Sequence, residues 1–357
     1  MTNTRLQRLL YESDAFPIFQ NRMYPTAVEA RNCPKGDIRV VEDLESGLIY
    51  NAAFRPEWMQ YDAHYQNEQA VSPIFRNHLE EVAAIVDLTL GRTRIVEIGC
   101  GKAYFLELLL TKGFDVTGFD PTYEGNSPRV VKQYFKQGHG IRADGLVLRH
   151  VLEHIQDPVA FLLALKEANG GGGKIYIEVP SFDWICDHRA WFDIFYEHVN
   201  YFRLSDFPRM FASIDTCGAL FGDQYLYVVA DLASLRTPVF DPTDAVGFRT
   251  DFTRRLIPRV QSPESRVRTA IWGGASKGVI FALLCERNGA SVTVVIDVNP
   301  AKQGHYLPGT GLRVQSPAEA LPALPVGSTI FVMNSNYLSE IKQMSNNAYH
   351  YVGVDHD

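Results

Sequence analysis

A glutamate, two glycines and an aspartate within RIVEIGCGKAYFLELLLTKGFDVTGFD, Arg94 to Asp120, have the types and spacing to hold a nucleoside. Glu97, Gly99 and Gly101 form E-x-G-x-G at the end of a β-branched run. Glycine there lets the backbone turn sharply and approach a ligand closely, with Lys102 next in line and a helix N-terminus behind. Asp120 ends the following strand, where a carboxylate is placed to take both hydroxyls of a ribose. A dinucleotide fingerprint needs a third glycine at position 104, where this chain has Tyr104, so the nicotinamide pattern fails at its last element.

Two other clusters carry titratable groups. His150-Val-Leu-Glu153-His154 follows the strand ADGLVL and fits the inverted zinc-peptidase pattern H-x-x-E-H. It does not lie within a long helix, and no third ligand can be nominated. His150, Glu153 and His154 are therefore expected to shape the floor of the ligand pocket, or only to bond the local backbone. The second cluster is FDIFYEHVNYF, Phe192 to Phe202. Asp193, Glu197 and His198 would be costly inside a core without partners. Together they offer a base and its orienting carboxylate, with Tyr196 beside them as a third catalytic candidate and Tyr201 among the aromatic walls for a ring-shaped substrate.

The elements that must position these groups follow from periodicity. PIFRNHLEEVAAIVDL has apolar residues at helical spacing, and strands alternate with helices from Arg94 to KIYIEVP. That alternation predicts a doubly wound, mainly parallel sheet, with FGDQYLYVVADL supplying a closing antiparallel pair. PTYEGNSPRVVKQYF reads as a turn and a helix, and the short interval before LRHVLEH leaves the strand beyond Asp120 reduced or missing. A Pro- and Arg-rich stretch near Arg236 to Ser265, with helices of its own, marks a boundary. RTAIWGGASKGVIFALLCERNGASVTVVIDVNP then repeats the strand, glycine turn, helix, strand and acid. Gly273, Ala275 and Gly278 form G-x-A-x-x-G, with Asp297 nineteen residues after the last glycine. This turn either seats a nucleotide phosphate, with Lys277 as countercharge, or serves the strand-to-helix turn alone. STIFVMNSNYLSEI closes the unit as strand, turn and helix.

At 357 residues the chain exceeds one ordinary domain, and its 46% hydrophobic and 21% charged content suits a full core. A net charge of -7 offers nothing for a phosphate backbone, so no nucleic-acid partner is expected. No apolar run approaches a membrane span and the start lacks a signal-peptide core, which predicts a cytoplasmic protein with no membrane partner. Its five cysteines, odd in number and without C-x-x-C, read as reduced thiols.

EIGCGKAYFLELL, VTGFDP, LRHVLEHIQDP, KIYIEVP, YEHVNYF and WGGASKG occur in one order along nearly the whole chain. In that order they resemble the sugar C-methyltransferase family of deoxysugar biosynthesis, and E-x-G-x-G resembles motif I of class I S-adenosylmethionine (SAM) methyltransferases. The resemblance implies an α/β protein in three parts: an N-terminal lobe over residues 1–75, a doubly wound SAM-binding domain over 76–235 and a C-terminal Rossmann-like domain over 236–357. It implies that Glu97, Gly99, Gly101 and Asp120 contact SAM, and that Glu197 and His198 form the acid-base pair. The substrate would be a nucleotide-linked keto-sugar, methylated at the carbon beside its carbonyl through an enolate. Gly273, Lys277 and Tyr201 would bind that substrate, and a homo-oligomer is possible. Methylation of a sugar hydroxyl is the near alternative; a non-catalytic nucleotide-binding scaffold and a nicotinamide oxidoreductase are the distant ones.

Two departures from the family bear on function. The family lobe usually holds zinc through four cysteines, the second pair reading like C-x-x-C-G-L. This chain has Asp43, Ser46, Gly47 and Leu48 there. No metal is expected, and the lobe should pack aromatics such as Phe16, Phe19, Tyr24 and Tyr50. The family tyrosine two residues before the Glu-His pair is Phe195, and Tyr196 adjoins Glu197 instead.

Overall fold

The computed structural model describes residues 6–59, 70–253, 269–290 and 292–355. Three sheets organise them. Strands β1 (Gln7–Pro17), β2 (Lys35–Asp43) and β3 (Ile49–Asn51) pair antiparallel in that order. The β2–β3 turn is made by the residues that replace the family cysteines: Asp43 Oδ1 accepts from the Glu45 N–H at 2.8 Å and Ser46 Oγ from the Leu48 N–H at 3.2 Å.

The helix Pro73–Leu90 starts where Ser72 Oγ accepts from the Ile74 N–H at 3.1 Å and proline takes the first turn. Phe75, Leu79, Val82, Val86 and Leu90 form its buried stripe. It leads into β4 (Ile95–Ile98), β5 (Val116–Phe119), β6 (Val130–Val131), β7 (Gly145–Arg149) and β8 (Lys174–Pro180), all parallel. Every residue of β4 is buried, as in a strand covered by helices on both faces. Strand β9 (Asn200–Tyr201) leaves this domain and joins β3 of the first sheet. Strands β10 (Ile214–Leu220) and β11 (Tyr225–Asp231) form an antiparallel pair, and β11 also runs against β8. The central order is β10-β11-β8-β7-β4-β5-β6. Pro121–Phe135 does not form the expected helix. Proline and glycine punctuate that stretch, and only two residues of it, β6, pair with β5.

The last sheet, β12 (Thr269–Trp272), β13 (Val294–Ile296), β14 (Val314–Gln315), β15 (Thr329–Val332) and β16 (His350–Gly353), is wholly parallel in the order β14-β13-β12-β15-β16. Of the stretch Arg236 to Ser265, where helices are expected, residues 254–265 lie outside those described, and the described part forms no helix beyond the 3₁₀ turn Pro242–Asp244.

Among the described residues the N-terminal lobe has no core of its own. Phe16, Ile38, Val40 and Ile49 belong to one cluster with Trp191, Phe195 and Tyr196 and with Val279, Phe281 and Val314 of the last unit. Trp191 stacks on Phe281 with ring centroids 5.5 Å apart. A small sheet buries too little surface to stand alone, so it shares its core with its neighbours. Phe16 and Phe19 are buried there, whereas Tyr24 and Tyr50 are only half-buried. Among the described residues no helix is long and apolar enough to cross a membrane, and the five cysteines are free.

Candidate active site

The carboxyl ends of the two large sheets face each other across one cavity of about 380 Å³. Sheet order reverses at β4/β7 in one and at β12/β15 in the other, and a ligand crevice opens at such switch points. From the central sheet come Glu97 to Lys102, Arg149, His150, Glu153, His154 and Pro180; from the last sheet come Trp272, Gly273, Lys277, Asp297 and Met333. Asp193, Phe195 and His198 close a third side, and Asn21 of the lobe a fourth.

The two glycine turns are built alike. Gly101 N–H donates to Asp120 Oδ2 at 2.8 Å, and Gly274 N–H donates to Asp297 Oδ2 at 2.8 Å. In each unit the acid ending the second strand holds the turn that leaves the first. Asp120 also accepts from the Thr122 N–H and hydroxyl. Gly101 has φ +53°, and the space a Cβ would take is empty within 4 Å, so that face of the turn is left for a ligand. At Gly278 a Cβ would sit 1.9 Å from the Gly273 carbonyl oxygen, so glycine there serves helix packing.

Glu97 is buried, and its Oε2 has no hydrogen-bond partner. Burial pushes its carboxyl up to about 8, with Asp120 adding to the rise and Arg149 opposing it. The folded chain thus keeps a proton that the unfolded chain releases at the ordinary glutamate value, about 4.3. Between that value and about 8 the folded state binds more protons, so this residue's contribution to stability falls as pH rises. Wild type should match Glu97→Gln in melting temperature at acid pH and fall progressively below it toward pH 8. A constant offset across that range would contradict the shift.

Behind the cavity, Glu178 is fully buried at the end of β8 and gathers a network. His78 Nε2 lies 3.0 Å from Oε1, Arg149 donates to both oxygens at 3.0 and 3.3 Å, and the Tyr176 hydroxyl donates at 2.8 Å. His150, at φ +51°, turns its Nε2 to within 3.0 Å of Glu178 Oε1 and its Nδ1 to within 3.3 Å of Glu153 Oε1. His150 thereby faces this network more than any ligand, and Tyr225 packs edge-on against it at 4.6 Å.

The segment Trp191 to Tyr201 divides its side chains between two tasks. His198 reaches the cavity wall, its ring 4.0 Å from that of Phe195 and 5.0 Å from that of His154. Burial holds its imidazole well below the usual range, and the nearby His154, His150 and Lys277 deepen the effect, so the ring is neutral. Glu197 instead turns toward the lobe, where Oε2 accepts from the Gln20 N–H at 2.8 Å. Tyr196 is also directed away from the cavity: its hydroxyl accepts from the Arg55 N–H at 2.9 Å and its ring packs over Gly36. Tyr201 donates to the Phe195 carbonyl at 3.2 Å. These three side chains position the segment; none of them lines the cavity. His154 Nδ1 bonds the Glu197 carbonyl at 2.7 Å, and Asn200 Nδ2 donates to the Ile155 carbonyl at 2.5 Å, stitching the HVLEH loop to the segment that carries His198.

Lys277 points into the cavity, with Nζ 3.0 Å from Asp193 Oδ2 and 3.0 Å from Gln224 Oε1, above the Trp184 ring. Sequence reasoning missed Asn21, whose Nδ2 donates to Ser276 Oγ at 2.9 Å, and Arg149, Gln224 and Tyr225. Arg149 is the last residue of β7, immediately before His150, so its position at the strand end was the available signal. Asn21 carries no such signal, because it arrives from a distant lobe.

Residues 60–215 match the model of a methyltransferase domain, and residues 246–353 match that of a C-methyltransferase C-terminal domain. No curated protein matches the chain. Among solved structures it is similar to the plantazolicin methyltransferase BpumL in complex with a triazolic desmethylPZN analog and SAH, at 21% identity over 32% of this chain and a TM-score of 0.27; the chain spans 50% of that protein's length. It is similar to the PH0226 protein of Pyrococcus horikoshii OT3 at 12% identity, over 48% of this chain and 99% of that one, with a TM-score of 0.37. Magnesium protoporphyrin IX methyltransferase (ChlM) from Synechocystis PCC 6803, solved with bound SAM, is 16% identical over 46% of this chain and 84% of its own, with a TM-score of 0.32.

Proposed function

We propose that this chain, with its matches to a methyltransferase domain and to a C-methyltransferase C-terminal domain, is a SAM-dependent methyltransferase of class I fold that methylates a carbon of a nucleotide-linked keto-sugar. The observation that carries this reading is one cavity shared by two switch points, with a neutral histidine among its lining residues. One end suits SAM, and the other suits the nucleotide of the substrate.

The residues fit SAM on three counts. Glu97 Oε2 is buried without a partner, and a ligand ammonium beside it would favour the carboxylate over the protonated form that burial otherwise keeps. Gly101 leaves open space beside its turn, and Asp120 stands at the strand end where a ribose is taken. SAM supplies an electrophilic methyl group when bound. The chain's work is to orient the acceptor, exclude water and move one proton. A carbon beside a carbonyl bears a weakly acidic proton, and His198 is neutral and faces the cavity, the state and place a base requires.

The nucleotide end rests on Gly273 to Lys277. The turn offers backbone N–H groups to a phosphate, and Lys277 adds charge. Lys277→Ala should raise KM for a sugar nucleotide by about 10–100-fold, the usual worth of a charged hydrogen bond, with kcat changed less. An unchanged KM would return this turn to a packing role.

The test of the whole reading is solvent exchange. Incubated in D₂O with keto-sugar nucleotides, the enzyme should place deuterium on the carbon beside the carbonyl, and SAM should then methylate that carbon. Methyl transfer to oxygen without exchange would replace the proposal with the hydroxyl alternative.

A further inference from the structure

Glu153, His154 and His198 each offer one ligand atom, and these atoms lie within 4.8 Å of one another. Glu153 is 1% exposed, and its Oε2 has no hydrogen-bond partner. A buried carboxylate oxygen left this way is costly unless something else satisfies it. His154 Nδ1 is engaged by the Glu197 carbonyl at 2.7 Å, which makes Nε2 the lone-pair nitrogen and fixes the ring, the outer-shell arrangement that metal-binding histidines use. His198 comes from another segment, held against the first by the Asn200 bond to the Ile155 carbonyl.

We infer that Glu153, His154 and His198 form a site for a borderline divalent cation such as Zn²⁺ or Co²⁺, opening on the substrate cavity. Two imidazoles and one carboxylate are the donor set such ions prefer, and the cavity supplies the open coordination position. The H-x-x-E-H pattern thus contributes Glu153 and His154 but not His150, which is committed to Glu178 and Glu153. One consequence rests on the reading of His198 as the base: a bound cation occupies the imidazole lone pair, so metal occupancy and proton abstraction exclude each other. The site then acts as a reversible brake.

Cobalt is the probe, because its visible spectrum reports ligand type without reference to activity. Wild-type protein titrated with Co²⁺ should bind one ion with tetrahedral or five-coordinate visible bands and no thiolate charge-transfer band in the near ultraviolet. His154→Ala and His198→Asn, each checked for an unchanged far-ultraviolet spectrum, should weaken that binding by about 100-fold or more. If one variant fails to fold, the other carries the comparison. Absence of stoichiometric binding, a thiolate band, or unchanged affinity in a folded variant would overturn the site. Zn²⁺ should inhibit turnover at the concentrations that displace Co²⁺, with recovery on chelation. If the cobalt spectrum behaves as stated but Zn²⁺ accelerates turnover, the site stands and His198 as base fails.

Discussion

His198→Asn turns over about 10²–10⁴-fold more slowly than wild type while binding SAM with the same affinity, the usual worth of a positioned base. The His198 ring lines the cavity that Glu97 and Gly101 also line. Burial, His154, His150 and Lys277 all disfavour the imidazolium, so the lone pair is present at neutral pH. The other candidates in the segment are spoken for: Tyr196 accepts from the Arg55 N–H, Tyr201 donates to the Phe195 carbonyl, and Glu197 accepts from the Gln20 N–H. Glu197→Gln retains an oxygen for Gln20 and should do less damage, seen in stability before turnover. Single-turnover rates with saturating SAM, together with calorimetric SAM affinity, check both. Full activity in a folded His198→Asn would remove it from the chemistry; a greater loss from Glu197→Gln would transfer the role to the carboxylate.

Glu178→Ala lowers the stability of the central domain by about 3–5 kcal/mol, the cost of leaving a buried charge without its partner. The carboxylate is 0% exposed and faces Arg149, His78, His150 and the Tyr176 hydroxyl. Burial alone would push its carboxyl up, but Arg149, His150 and His78 outweigh burial and hold it well below the ordinary carboxylate range. Its stabilisation is accordingly complete above the unfolded glutamate value and lost as pH falls through the folded one. Urea unfolding at neutral pH measures the loss. A shift within about 0.5 kcal/mol, the range of ordinary surface changes, would mean that the network contributes nothing net.

Much of the architecture was legible in the chain. Ile95–Ile98 and Lys174–Pro180 are short β-branched runs that cannot face water on either side, and Pro73–Leu90 carries an apolar stripe between a Ser-Pro start and a glycine stop. The two glycine turns were legible because a strand that must turn at once into a helix needs backbone freedom a side chain denies. Pro121–Phe135 was not, because its apolar residues fit a helix while its proline and glycine do not, and pairing with β5 decided between them.

The sequence by itself determined that Glu97, Asp120 and Asp297 stand at strand ends, that HVLEH follows a strand, and that acids and histidines are interleaved with aromatics around His198. These are properties of neighbours along the chain. Tertiary structure alone decided that the two switch points share one cavity, that Glu197 and Tyr196 serve the lobe while His198 serves the cavity, and that His154 meets His198. The reason is that a side chain's direction depends on which partner its strand joins. Strand β9 pairs with β3, Asn200 opposite Tyr50 and Tyr201 opposite Ile49, and that long-range pairing sets which faces of the YEHVNYF segment are buried and which are offered to a ligand.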